Sequence, residues 1–299
     1  MSGADARPID AEWRRGHPLP PVGAGLDKEG RGLVLVAGGS RFVPGALRLT
    51  GEAVLRAGAG KVRLATVEPI ADLLAVHFPE AAMMALPADA EGEIAGAAAT
   101  RLAERLSRCD TLLVGPGMLE RPQTPELVAA LLEAVDDEAT VLLDAGAMTA
   151  LRHVPEAARA LGGRVVLTPH PGELARLIDA DAAAIAADPA GHARRAAGHF
   201  GAVVALKSTR TVIATPGGAL LGYCSEAPGL GTAGSGDVLA GVVAGLLARG
   251  AAPEVATAWG VWLHGEAGKL VGAQTGAVGY LARELLPAVP ALMAAQSQR

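Results

Sequence analysis

Cysteine is nearly absent: the 299 residues hold two, Cys109 and Cys224, far apart in the chain. One such pair is no disulfide framework, and no CxxC spacing offers a zinc site. A reduced, cytoplasmic setting is the expectation. Aromatic residues are also scarce, at 3% against an apolar fraction of 51%. The core must then be built from Ala, Val and Leu, which suits helices packed closely on a parallel sheet. Positive charge is not in excess, with 26 Lys and Arg against 31 Asp and Glu. A net charge of −5 argues against bulk nucleic-acid binding, though not against one small anionic ligand. No apolar run reaches the roughly 18 residues of a membrane span, so no membrane partner is expected. The charged N-terminus lacks the apolar stretch of a secretory signal.

What is present is a rhythm. Residues 1–30, rich in Pro, Gly and charge, read as an arm or capping segment, and residues 31–299 as one domain. Short apolar runs at 32–38, 61–66, 111–115, 140–144, 164–168 and 202–207 read as buried strands. Helical spacing follows over 46–57, 94–107, 124–135 and 172–178. This alternation predicts a mostly parallel sheet with helices on both faces, an αβα sandwich. After Lys207 the pattern changes to a hairpin, TVIAT and ALLGY around PGG at 216–218. Helices are then predicted over 236–249, 253–272 and from 279 onward.

Open parallel sheets bind ligands at the carboxyl ends of their strands. Those ends read AGGSR, VGPGM, LDAGAM, LTPHPGE and LKSTRT, polar or Gly-rich in every case. The most informative segment is GLGTAGSGDVLAGVVAGLL at 229–247. Gly234, Ser235 and Gly236 precede a helix, so backbone amides at its N-terminus form an anion site. An ordinary cap accounts for Asp237 but not for the glycines around it. In phosphoryl transfer the amides neutralise the transferred group while Asp237 accepts the proton of an attacking hydroxyl. The segment is not a Walker motif, since no GK[ST] follows.

Other candidates carry plainer alternatives. His170 lies between two prolines, in a rigid extended setting that favours ligand contact over a structural histidine. Glu173 serves a helix dipole as well as it serves water or magnesium. Lys207 ends a buried strand, where an ammonium needs an anion or a route to solvent. Ala46 and Gly117 are small residues that permit close approach of a large ligand, or of helix and turn alone. Asp144 ends a strand, where a carboxylate can assist magnesium or substrate. His264 reads as core packing or nucleotide-side support.

The segments at 38–60, 114–118, 143–148, 167–177, 206–218, 229–241 and 262–268 together resemble the ADP-dependent NAD(P)H-hydrate dehydratases, in the ribokinase-like superfamily. LTPHPGE is the most discriminating of them. The resemblance implies an α/β ribokinase-like fold and a hydro-lyase. Such an enzyme dehydrates the (6S) epimer of NADHX and NADPHX using ADP, with ATP as the other nucleotide option and Mg2+ as cofactor. The ring hydroxyl is phosphorylated and phosphate is then eliminated. It further implies a substrate site at Ala46, Gly117, His170 and Asp237. The nucleotide would lie at Lys207, Ser208, Thr209, Arg210, Thr211, Gly234, Ser235 and Gly236. A homotetramer and a separate NAD(P)HX epimerase in the cell are implied as well, because only about 30 residues precede the first strand. The metal ligands stay open. Three departures stand out: Ser208 for the usual Gly, Gly146 for the second Asp of LDADAL, and Ala227 for an Asn. The competing functions are a kinase of a vitamin or sugar alcohol, which uses the same loop and base, and a nucleotide sensor, which has no need of Asp237.

Overall fold

The computed structural model describes residues 6–21 and 27–297. The chain begins with β1 (Arg7–Pro8), α1 (Ala11–Gly16), β2 (Leu33–Ala37), α2 (Gly45–Arg56), β3 (Lys61–Val67), α3 (Glu68–His77) and β4 (Ala82–Leu86). It continues with α4 (Ala98–Leu106), β5 (Thr111–Val114), α5 (Thr124–Ala134), β6 (Thr140–Leu143), α6 (Ala145–Ala150), α7 (Pro155–Arg159), β7 (Val165–Leu167) and α8 (Pro171–Leu177). Then come α9 (Ala182–Ala187), α10 (Pro189–Phe200), β8 (Ala202–Leu206), β9 (Arg210–Ala214) and β10 (Leu220–Cys224). The last elements are α11 (Ser235–Ala248), α12 (Pro253–Thr275), α13 (Ala282–Leu285) and α14 (Ala288–Ser297).

One sheet runs β1-β10-β9-β8-β7-β6-β5-β2-β3-β4. The strands from β4 through β8 are mutually parallel, and β9 is antiparallel to both neighbours. The central strands are buried along their whole length, which is why they read as unbroken apolar runs rather than alternating ones. The expected hairpin is β9–β10, with Leu221 opposite Ile213.

Helix α11 is buried nearly all round rather than on one face. It lies directly on α2, where a Cβ at Gly241 would sit 2.4 Å from the Thr50 carbonyl oxygen. That close crossing brings the first turns of α2 and α11 to the same end of the sheet.

Four stretches differ from the pattern the sequence suggests. Strand β4 is AMMAL, built from residues with little strand preference, at an edge of the sheet. Helix α4 starts at Ala98 because the preceding residues fold back through an Ala88–Ile94 bridge. The C-terminal helical run is two helices, parted before Ala288 by Pro287, which has no N–H to donate. Helices α3, α9 and α10 lie outside the ranges in which helical spacing is read.

The described part of the N-terminal segment covers the hairpin edge. Arg7 pairs with Leu221, Trp13 is buried, and Trp259 donates its indole N–H to the His17 carbonyl at 2.7 Å. Residues 1–5 and 22–26 of the arm lie outside the described residues. No described helix is long and apolar enough to cross a membrane.

The chain leaves β2 towards β3 and β4, then resumes at β5 on the other side of β2. This reversal is a topological switch point, the place beyond the carboxyl ends of the strands where open α/β sheets bind ligands.

Candidate active site

Three strand tips converge on one ammonium. Asp144, after β6, is buried and accepts a hydrogen bond from the Thr168 hydroxyl at 2.8 Å. Lys207, after β8, places Nζ 3.3 Å from the same Asp144 oxygen and 3.7 Å from Glu173 Oε2. Burial works against the Lys207 charge, but Asp144 and Glu173 outweigh it and hold the pKa above its ordinary value. Lys207 is therefore a fixed cation.

His170 is the N-cap of α8. Its Nδ1 accepts from the amides of Gly172 at 3.1 Å and Glu173 at 3.3 Å, while Glu173 Oε2 accepts from the His170 amide at 2.7 Å. This reciprocal capping box explains why His and Glu stand three residues apart. Because Nδ1 accepts, the neutral ring carries its proton on Nε2. That nitrogen lies 3.5 Å from Glu173 Oε1, on a side chain 52% exposed. His170 thus has both a structural face and an open donor.

The Gly-rich loop enters α11 through Gly234, whose φ of +85° a side chain would resist. No side chain caps the helix. The first-turn amides have no intrahelical partner and carry the positive end of the helix dipole. Lys207 Nζ lies 3.5 Å from the position a Cβ on Gly236 would take, so the ammonium flanks the same amides. Ser235 is buried, and its hydroxyl is engaged with His264 Nε2 at 2.9 Å. Burial lowers the His264 pKa to about 4, so this histidine is a neutral anchor reaching the loop from α12. The Ser235 amide is engaged too, donating to the Thr232 carbonyl at 3.2 Å, so the amides that face outward belong to its neighbours.

Asp237 lies in the first turn of α11. Burial, and then the charge of Asp144, push its pKa up to about 7 against the opposing pull of Lys207. A carboxylate that titrates near neutral pH beside an anion site has the properties of a general base.

The loop after β8 is closed by its own side chains. Ser208 Oγ donates to the Arg210 carbonyl at 2.7 Å and accepts from the Arg210 amide at 3.1 Å. The Thr211 hydroxyl donates to the Ser208 carbonyl at 3.0 Å. Ser208 does not occupy the left-handed region, so nothing in this loop requires glycine there. Ser208, Thr209 and Arg210 are exposed, and Thr211 is buried.

Ala46 and Gly117 meet directly. At Gly117 φ is +70°, and a Cβ there would lie 2.8 Å from both Ala46 Cβ and the Val43 carbonyl oxygen. Ala46 is 3% exposed, its methyl group turned onto the Gly117 backbone. One turn further along α2, Leu49 packs on Gly234, so this helix touches the Gly117 turn and the anion loop together. At Gly146 a side chain would sit 2.6 Å from the Glu120 nitrogen, because the β5–α5 loop closes over it. The second Asp of the family pattern has no room in that arrangement.

The structure therefore gathers Lys207, Gly236, Asp237 and His170 around Asp144 and Glu173, with Ala46 and Gly117 in a neighbouring contact. Thr168, which orients Asp144, went unmarked in the sequence although it is a polar residue at a strand end. Glu93, discussed below, gave no signal of spacing at all. Among the described residues no cluster of three or more metal-ligating side chains occurs.

A parallel sheet with a switch point, flanked by a Gly-rich anion loop carrying an aspartate, defines an α/β fold of the ribokinase-like class. A family model described as NAD(P)H-hydrate dehydratase matches residues 34–291, and the chain belongs to that family. It is 44% identical over 295 residues to the ADP-dependent (S)-NAD(P)H-hydrate dehydratase of Xanthomonas campestris, covering 98% of each chain. It is 41% identical to the bifunctional NAD(P)H-hydrate repair enzyme of Moorella thermoacetica, covering 95% of this chain but 53% of that one. Among solved structures, the ADP/ATP-dependent NAD(P)H-hydrate dehydratase of Bacillus subtilis, co-crystallised with ATP and Mg2+, superposes with a TM-score of 0.82. Its identity is 27%, over 98% of this chain and 100% of that one.

Proposed function

We propose that the protein is an ADP-dependent hydro-lyase that returns the (6S) epimer of NADHX and NADPHX to NADH and NADPH. The observation that carries this reading is the position of Asp237, a carboxylate with a pKa near neutral in the first turn of a helix whose amides and neighbouring Lys207 suit an anion. Hydroxide is a poor leaving group and phosphate a much better one. Asp237 takes the proton of the ring hydroxyl, whose oxygen attacks the terminal phosphoryl group of ADP. The loop amides at Gly234 and Gly236, with Lys207, offset the charge on that group, and AMP leaves. The ring nitrogen then expels phosphate from carbon six as carbon five gives up a proton. ADP and the hydrate become AMP, phosphate and the reduced dinucleotide.

The residues from Lys207 to Thr211 hold the nucleotide, His170 faces the dinucleotide, and the Ala46–Gly117 contact shapes the wall beside it. Mg2+ is typically bound by one or two carboxylates and the substrate phosphates. Asp144 and Glu173, which face Lys207 in this structure, would supply those oxygens, and the ion would neutralise phosphate charge. The catalytic unit spans residues 31–299, with residues 1–30 as an arm. The protein works in the cytoplasm as a homotetramer, with a separate epimerase. The chain spans about half the length of the bifunctional relative.

The test is to incubate the protein with NADHX and ADP and to follow NADH absorbance, AMP and phosphate. The three should appear in equal amounts. No NADH with either ADP or ATP would overturn the assignment.

A further inference from the structure

Glu93 is 3% exposed, in the loop between β4 and α4, and forms no salt bridge among the described residues. Its carboxylate reaches into the seam between two other loops. Oε2 accepts a hydrogen bond from the Leu119 amide, in the β5–α5 loop, at 3.1 Å. The hydroxyl of Ser40, in the β2–α2 loop, lies beside the same carboxyl group and favours its charged form. Ser40 is itself buried, and its Oγ accepts from the Val43 amide at 3.2 Å. Beside it, the Arg41 amide donates to the Gly92 carbonyl at 2.9 Å.

The loop that carries Glu93 is braced. Asp89 Oδ1 accepts from the amides of Glu91 at 3.0 Å and Glu93 at 2.8 Å, and Gln123 donates to Asp89 Oδ2 at 2.7 Å. The loops it joins are the two at the switch point between β2 and β5. They meet again at Gly117, whose Cβ position abuts Val43 and Ala46. They also present Phe42, 86% exposed, with Val43 and Leu119. A chain with so few aromatic residues places one of them almost wholly in solvent in the β2–α2 loop.

A buried carboxylate is an expensive way to join two loops unless their spacing matters. We propose that Glu93 is a positioning residue that fixes the separation of these two loops and thereby sets affinity for the hydrated dinucleotide. The proposal rests on the dehydratase reading and goes beyond it. Phe42, Val43 and Leu119 form the apolar rim that Glu93 holds in place for a ring of the substrate.

The test compares Glu93→Ala, Glu93→Gln and Ser40→Ala in the NADHX assay, together with hydrogen exchange of the Leu119 amide. Glu93→Ala should raise KM for NADHX about ten- to hundred-fold, the range for a lost hydrogen bond to a charged group. KM for ADP should stay within about twofold, and Leu119 should exchange faster. Glu93→Gln retains an acceptor and should recover most of the loss. Ser40→Ala should shift the same KM in the same direction, and it carries the test if Glu93→Ala does not fold. A parallel rise in both KM values, or unchanged Leu119 exchange in Glu93→Ala, overturns the proposal. Wild-type turnover is measured first, so an inactive wild-type protein counts against the dehydratase reading, while Leu119 exchange still decides the clamp.

Discussion

Lys207 Nζ and Asp144 Oδ1 stand 3.3 Å apart although 63 positions separate them in the chain. The pair joins the tips of β6 and β8, with Thr168 bridging from the strand between them. Lys207 also faces Glu173 and tempers the charge around Asp237. Replacing it by Met leaves three carboxyl groups without their cation. ADP affinity should fall by about 1.5–3 kcal/mol, as for other charged hydrogen bonds. The acid limb of the rate profile should move to higher pH. Calorimetric titration with ADP and a pH series check both. Unchanged ADP affinity would remove Lys207 from the nucleotide site.

Asp237→Asn should keep nucleotide binding and lose roughly 10²–10⁴-fold in turnover, the usual range for a general base. In the wild type, kcat/KM should fall as pH drops through about 7, where the carboxylate gains its proton. The variant should lack that limb. Its stability should also respond. A carboxyl group raised to about 7 in the fold stabilises the protein fully below its unfolded value, and that contribution is lost as pH rises through 7. Asp237→Asn should therefore raise Tm at pH 8 and not at pH 4. Near wild-type turnover would exclude Asp237 as the base.

Much of the fold could be read along the chain because the central strands are continuous apolar runs bounded by glycine or proline. The helix at Ser235 announces itself by GSGD, and the hairpin by PGG. What stayed hidden depends on tertiary partners. AMMAL becomes a strand by pairing with β3, not by propensity. The Asp188-Pro189 pair caps α10, a local start signal that went unused. At the site, the backbone features were legible and the side-chain pairings were not. Nothing in the sequence ties Lys207 to Asp144, Ser235 to His264, or Glu93 to Leu119, since each pair meets only when separate strands align.

His170 offers a way to separate structure from recognition. Asn is a good N-cap and can replace Nδ1 as the acceptor for the first-turn amides. It cannot reproduce the Nε2 donor on the open face. His170→Ala and His170→Asn should both weaken NADHX by about 1–3 kcal/mol if a hydrogen bond to substrate is lost. The Ala variant should also lower Tm, and the Asn variant should not. Wild-type affinity in His170→Asn would reduce His170 to a cap.

The contact between Ala46 and Gly117 tests how the two half-sites divide. In the proposed arrangement the ADP phosphate lies over the amides of the α11 loop, so the damaged ring enters from the other side, along the strand ends. The Ala46 methyl rests on the Gly117 turn. A leucine at position 46 must push that turn outward, into the path of the dinucleotide. Gly117→Ala loads the same contact from the opposite side, and its φ of +70° adds strain. Each change should weaken NADHX binding, and the two together should cost less than the sum of their separate effects, because the turn displaced by one change already makes room for the other. ADP affinity should stay nearly unchanged, since the first turn of α11 does not include either residue. Leu49, one turn beyond Ala46, packs on Gly234 and gives a direct route by which a shift of α2 could reach the nucleotide. Titrations of both ligands against both variants separate these outcomes. If Ala46→Leu weakens ADP as much as NADHX, α2 moves as a rigid body and the two half-sites are not independent.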